Sequence, residues 1–198
     1  IVEDSLFVAE GQYIKVCNFQ GTQKGSINFA EAEGSPEMID LNGQYLGAIT
    51  KANTVRFFDV HAPTKPKPLG GGHTFNPEIS KEKKLTEGKT GDDKVKEDVK
   101  GSSIPHMRTR EVRINSEGTR LAILADHEEG TMKVRSPYSE VSVFDRNKGN
   151  TNSFDFAPHK RRPRSIFWDD ADDRLLVVEA YRDLSVMHDA GAAEAEAK

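Results

Sequence analysis

The sequence predicts an all-β fold assembled from repeated small sheets, and three observations lead to that prediction. Short runs rich in Val, Ile, Leu, Phe and Tyr, such as SLFVAEG, TVRFFDV and EVSVFDR, are separated by Gly, Asn or Asp, which is the pattern of strands and turns. No window of a dozen residues keeps a helical periodicity. The runs also recur along the chain in the same internal order. We therefore expect strands throughout the ordered part.

The recurring unit consists of an apolar run, a polar corner and a leucine that opens a second apolar run. This leucine stands at Leu6, Leu46, Leu121 and Leu175. The first two copies are 40 residues apart, and a later strand ends in Phe-Asp in two units, as RFFD and SVFD. A period of about 40 to 45 residues with four short strands is that of a WD-type β-propeller blade.

The predicted blades fill residues 1–63 and 104–184, which gives a partial propeller of three to four blades. Between them, residues 64–103 are poor in apolar side chains, mix both charges and contain Pro and Gly clusters, so we expect a long disordered insertion. Residues 185–198 are expected to be a polar tail or the start of a loop. A closed ring needs about 4 to 8 blades, and the sequence starts at Ile1 inside an apparent strand. Both points suggest that this is part of a longer chain.

Composition limits the classes of function. Of the 198 residues, 30% are charged and the formal net charge is -4, which gives no global attraction to nucleic acid. The single cysteine, Cys17, cannot form an internal disulfide. No apolar stretch approaches the roughly 20 residues that a membrane-spanning helix needs, so we expect no direct membrane insertion.

An acidic corner raises the question of a metal or catalytic site. In RSIFWDDADDRLLVVEA, the acids are Asp169, Asp170, Asp172 and Asp173. They occupy the place that LNGQ and NSEGT occupy in the other copies, before the inner strand. Aspartate is favoured in such turns because its carboxylate accepts hydrogen bonds from nearby backbone N–H groups. The cluster also lacks the ligand spacing of a calcium loop, so we expect turn residues.

Aromatic and apolar side chains of the repeats are expected to form the core. The predicted core aromatics are Phe57, Phe58, Phe144, Phe167 and Trp168. The run LLVV at 175–178 is apolar on both faces, which is typical of a strand that lies between two adjacent sheets.

The concentrated basic run HKRRPR is the candidate contact site. Its charged residues are His159, Lys160, Arg161, Arg162 and Arg164. They could bind phosphate or an acidic partner surface, or they could simply form a charged loop between blades.

Motifs that carry catalysis are not found. The GKT triplet at 88–90 lacks the glycine that a phosphate-binding loop has six residues before its lysine. The six histidines are scattered without metal-ligand spacing, and no nucleophile elbow occurs. We therefore expect no enzyme, no metal site and no cofactor; a hydrolase built on a propeller would need acids or histidines that recur at blade spacing.

Three stretches resemble a known family. They are GTQKGSINFAEAEGSPEMIDLNGQYLGAITKANTVRFFDV (21–60), VSVFDRNKGNTNSFDF (141–156) and FWDDADDRLLVVEA (167–180). Together they are similar to the second WD-repeat propeller in the family of intraflagellar transport protein 140, a subunit of complex A, and they keep its order. The insertion at 64–103 and the chain after Leu184 have no counterpart in this resemblance.

The resemblance implies a non-enzymatic scaffold of ciliary transport. It implies contacts with other complex A subunits and membrane-cargo adaptors, a role in retrograde transport and in entry of membrane cargo, and a location at the cilium, the ciliary base and the cytoplasm. It carries over no catalytic residue. The alternative from a different class is a self-contained β-domain that binds acidic or phosphorylated ligands through residues 159–164.

Overall fold

The computed structural model describes residues 4–75, 107–127, 138–156, 161–169, 171 and 174–181. Within these residues the regular structure is strands and one short 3₁₀ turn at Glu31–Glu33, with no α-helix. It follows that the described residues contain no helix of the length and apolarity needed to cross a membrane. The predicted all-β class is confirmed.

Fourteen strands of the described residues form four antiparallel sheets. The first sheet contains β1 (Ser5–Glu10), β2 (Tyr13–Asn18) and β3 (Gln23–Asn28). The second contains β4 (Pro36–Asn42), β5 (Tyr45–Thr50), β6 (Thr54–Asp59), β7 (Lys67–Pro68) and β8 (His73–Thr74). The third contains β9 (Met107–Ile114), β10 (Arg120–His127), β11 (Tyr138–Asp145) and β12 (Asn150–Asp155). The fourth contains β13 (Arg161–Trp168) and β14 (Leu175–Tyr181).

Strand register places the repeated leucine at the same point of each sheet. The cross-strand partners are Leu6 with Cys17, Leu46 with Phe58 and Leu121 with Phe144. On its other side the leucine faces the preceding strand, in the pairs Leu46 with Leu41, Leu121 with Ile114 and Leu175 with Trp168. Thus β1 corresponds to the second strand of a four-stranded blade, whereas β13 and β14 correspond to the first and second. The propeller-type repeat is confirmed.

Apolar cores fill the spaces between successive sheets. Strand β10 shows how one strand serves two of them: Leu121 and Ile123 pack against the second sheet, and Ala122 and Leu124 pack against the fourth. All four side chains are fully buried. A strand buried on both faces needs an unbroken apolar run, which explains the sequence LAILA.

The start predicted for the disordered insertion, residue 64, lies too early in the chain. Within it, residues 64–75 carry β7 and β8, which both pair with β6. The backbone N–H of Leu69 donates to the oxygen of Phe57, and Phe75 is buried in the core between the second and third sheets. Two-residue strands give almost no periodic signal, so composition alone suggested disorder. The rest of the predicted insertion and the predicted tail at 185–198 lie outside the described residues.

The prediction that both faces of the LLVV run are buried is also wrong for the described residues. Leu175 and Val177 pack against the third sheet. Leu176 and Val178 point the other way and are 54% and 48% exposed. Sequence periodicity shows that both faces are apolar, but it does not show what lies against each face.

Candidate interaction surfaces

The predicted basic loop is largely a strand. Residues 161–164 begin β13, where Arg161 pairs with Tyr181 and Arg162 pairs with Ala180. A bulge follows between Pro163 and Ser165, and it accommodates a proline that cannot donate a ladder hydrogen bond. The prediction of a loop is therefore wrong at these positions, because pairing with the apolar β14 extends the strand into the charged run.

The contact residues of this run are only partly described. Pro163 is buried and its oxygen accepts a hydrogen bond from Arg110 Nη1 at 3.1 Å, whereas Arg164 is exposed. Side chains at 161 and 162 are not described, and His159 and Lys160 lie outside the described residues. The structure thus fixes the backbone beside one exposed cation, and binding by the run stays a prediction.

Asp169 caps the turn that joins β13 to β14. Its N–H donates to the oxygen of Arg174 at 3.0 Å, and its Oδ1 accepts from the N–H of Arg174 at 3.1 Å. In the third sheet, Asn115 Oδ1 accepts from the N–H groups of Thr119 and Arg120 at 2.9 and 2.8 Å. The turn role predicted for the acidic corner is confirmed at Asp169. The other three acids lie outside the described residues, within which no His, Cys, Asp and Glu cluster is arranged to hold a metal.

A charged network links the first strands of the second, third and fourth sheets. Arg113 Nη1 lies 3.2 Å from Asp40 Oδ1, and Arg113 Nη2 lies 2.5 Å from Glu111 Oε1. Asp40 Oδ2 accepts from the N–H of Ile114 at 2.8 Å, and Glu111 Oε2 accepts from the N–H of Ile166 at 3.2 Å. The guanidinium Nε also donates to the oxygen of Ile166.

Sequence reasoning missed this network, which has a structural role. Asp40 and Glu111 each accept a hydrogen bond from a backbone N–H of the next sheet, and both pair with Arg113. These contacts hold adjacent blades at a set spacing. The sequence gives little indication of the network, because single charged residues in an alternating strand are also typical of a face that is exposed to solvent. The charges are thus occupied in packing, which leaves this arrangement unsuited to acid–base chemistry.

The predicted core aromatics divide into two groups. Phe57, Phe58 and Phe144 are buried, as expected. Trp168 is half-buried and its Nε1 donates to the oxygen of Arg113 at 2.9 Å. Phe167 is 44% exposed, so its prediction as a core residue is wrong; its ring centroid lies 5.6 Å from the guanidinium carbon of Arg113.

Among the described residues, five of the seven exposed large apolar side chains lie on the outer faces of the two end sheets; the other two are Phe19, after β2, and Phe154, in β12. The five are Leu6 and Val8 on the first sheet, and Phe167, Leu176 and Val178 on the fourth. Leu6 is 38% exposed, although its equivalent Leu46 is fully buried against the first sheet. These faces have the composition of the internal interfaces but have no sheet against them among the described residues.

Comparison with known proteins identifies a family for the N-terminal part. Residues 1–90 match the family described as the IFT140 second beta-propeller. The match contains the 21–60 stretch and confirms the resemblance there; the other two stretches lie beyond it. No curated protein sequence gives a significant match.

Two solved structures show distant similarity. A HIRA fragment is 14% identical with a TM-score of 0.40, and the match covers 77% of this chain and 37% of that one. The periplasmic gluconolactonase PpgL of Pseudomonas aeruginosa is 12% identical with a TM-score of 0.48, and the match covers 88% and 43%. The chain thus spans about two fifths of each of these two structures. At these levels of similarity neither structure bears on function.

Proposed function

We propose, from the match of residues 1–90 to the IFT140 second β-propeller, that the chain is part of a non-enzymatic scaffold in intraflagellar transport complex A. The scaffold acts in retrograde ciliary transport and in the entry of membrane cargo into the cilium. It does so through protein–protein contacts with other complex A subunits and with membrane-cargo adaptors. Its location is the cilium, the ciliary base and the cytoplasm.

The family match is the observation that carries this proposal. Packing supports it, because the inner strand faces are filled by apolar side chains and the inner charges bind backbone groups of adjacent blades. His73 lies with its ring centroid 5.1 Å from that of Phe144, which favours a packing role for this histidine over a catalytic one. These features suit a rigid body that presents turns and edges to other proteins.

Co-purification tests the proposal directly. The protein is tagged in ciliated cells and recovered, and the associated proteins are identified by mass spectrometry. Complex A subunits should be recovered together with it, and a matched variant that disrupts the core, Leu121→Asp, should lose them. Recovery of the folded protein without any complex A subunit would contradict the scaffold function.

The acidic-ligand alternative keeps one favourable observation. Arg164 is exposed next to the buried Pro163, so at least one cation of the run is held on a fixed backbone. Replacing Arg161, Arg162 and Arg164 by alanine separates the two functions. The scaffold function predicts intact complex assembly, whereas the ligand function predicts a large loss of binding that depends on salt. The exposed apolar end faces argue against a self-contained domain.

A further inference from the structure

We infer that a cleft at one end of the second sheet binds an acidic side chain of a partner protein. The inference deepens the proposed scaffold function, on which it rests for the nature of the partner. The cleft lies between the turn that joins β4 to β5 and the segment that joins β6 to β7, and its volume is about 210 Å³. Its lining residues are Gln44, Asp59, His61, Ala62, Lys65 and Lys67.

The segment that forms one wall of the cleft is held in place by local bonds. The N–H of His61 donates to Asp59 Oδ1 at 2.8 Å, and the N–H of Lys65 donates to the oxygen of Ala62 at 2.9 Å. Pro63 is buried. The wall is therefore formed before a ligand arrives, which lowers the entropy lost on binding.

Contact with the first sheet supports the same segment from behind. A Cβ atom placed on Gly25 in β3 would lie 3.0 Å from the backbone oxygen of Thr64. A side chain at position 25 would force the segment and the strand slightly apart, so glycine favours this close approach. Lys65 thus projects from backbone that is braced by a neighbouring blade.

The cleft carries a net positive charge, because two lysines and one aspartate line it. Lys65 and Lys67 are exposed, and neither ammonium has a carboxylate within 4.0 Å among the described residues. By contrast, Lys15 is paired with Glu10, and Arg113 with two carboxylates. Asp59 already accepts a backbone hydrogen bond, and its negative charge offsets one lysine.

The balance of charges indicates the ligand class. The two ammonium groups and the one carboxylate sum to one positive charge, which matches a single carboxylate better than a doubly charged phosphate. The volume accommodates one side chain, and the net charge of -4 on the chain disfavours an anionic membrane or nucleic acid. An aspartate or glutamate of an acidic segment fits both constraints.

The third sheet provides a matched control. Its segment between β11 and β12 is a short turn, 146–149, with a single exposed lysine, Lys148. In the second sheet the equivalent segment is longer, 60–66, and folds over to form the wall. A charge change at Lys148 alters the net charge near an equivalent turn without altering the cleft.

Binding of a labelled oligoglutamate peptide, followed by fluorescence anisotropy at about 50 mM salt, tests the inference. We expect Lys65→Glu with Lys67→Glu to weaken binding at least about tenfold, because reversed charges repel the ligand. The milder pair Lys65→Gln with Lys67→Gln should give an intermediate loss, and Lys148→Glu should change binding by less than about twofold. An oligoglutamine peptide should not bind. Thermal melts confirm that each variant is folded.

Several results would overturn the cleft. The first is that the unchanged protein does not bind oligoglutamate. The second is that the protein with Lys65→Glu and Lys67→Glu binds the peptide as tightly as the Lys148→Glu protein. The third is that inorganic phosphate occupies the site and the peptide does not. Failure of the cleft is distinguishable from failure of the scaffold function. In the first case the unchanged protein still co-purifies with complex A subunits, and in the second it does not.

Discussion

Gly47 lies in β5 directly against the third sheet. A Cβ atom at this position would lie 2.5 Å from Leu121 Cδ1 and 3.3 Å from Ile114 Cβ. The leucine methyl could rotate away, but the Cβ of Ile114 is fixed to the backbone of β9. The spacing of the two sheets therefore depends on a residue without a side chain, and any larger residue must push them apart.

Gly47→Ala should lower the free energy of unfolding by about 1–3 kcal/mol, because the added methyl group overfills a packed interface. Gly71→Ala is the control, since a Cβ there meets nothing within 4 Å and the residue has no positive φ. Urea denaturation of both variants provides the measurement. Equal stability of the two variants would show that the sheets do not approach as described.

Arg113 compensates the charges of two carboxylates where the second, third and fourth sheets meet. Its partners Asp40 and Glu111 have side chains that are 17% and 16% exposed, whereas the arginine side chain is 36% exposed. The carboxylates are thus more desolvated than the cation that compensates them. Removal of the cation leaves two like charges near each other in a partly buried setting.

Arg113→Met should destabilise the protein by about 1–3 kcal/mol, a range lowered for the partial solvent exposure of the arginine. Asp40→Asn should lower the free energy of unfolding less in the Arg113→Met protein than in the unchanged protein. The difference between the two losses, which is the coupling energy, should be at least about 0.5 kcal/mol. Lys51→Met, at an exposed lysine, controls for loss of a cation. Strict additivity in a double-mutant cycle measured by urea denaturation would argue against the network.

At the scale of elements, equivalent strands have different environments. The repeated leucine is fully buried in β5 and β10 but 38% exposed in β1. The strands share their register and their apolar pattern, so the difference arises from the neighbouring sheet. Burial, and hence stability, is a property of the stack of sheets and not of the single strand.

Leu46→Ala should therefore cost about 2–5 kcal/mol, as expected for a buried leucine truncated in a core. At the equivalent position of the first sheet, Leu6→Ala should cost less than about 1 kcal/mol, because that side chain already contacts solvent. Chemical denaturation of both variants measures the contrast. A loss at Leu6 as large as the loss at Leu46 would mean that the outer face of the first sheet is covered.

Sequence reasoning succeeded where a pattern repeats locally. The leucine positions, the third-strand Phe-Asp ends and the turn role of Asp169 follow from residues close together in the chain. It failed where the outcome depends on distant partners. Asp40 and Arg113 are 73 residues apart, and the strand at 161–164 forms through pairing with β14. Neither pairing leaves a periodic mark in the sequence.

At the scale of the whole molecule, the described sheets stack in chain order and expose apolar faces at both ends. Among the described residues, the first sheet has no equivalent of the innermost strand, and the fourth has equivalents of the two innermost strands alone. Open edges and apolar faces of this kind promote association with further sheets. In the scaffold that we propose, neighbouring blades cover both ends.

Hydrogen–deuterium exchange of the isolated chain and of the same chain within purified complex A tests this stacking most directly. The buried strands β5 and β10 should exchange slowly in both states, because each is paired and covered on both faces. Amides of β1 and β14 should exchange quickly in the isolated chain and at least about tenfold more slowly in the complex, where further strands would pair with their open edges and further blades would cover their apolar faces. Unchanged exchange at β1 and β14 on incorporation, or failure of the chain to enter the complex while folded, would contradict the propeller scaffold.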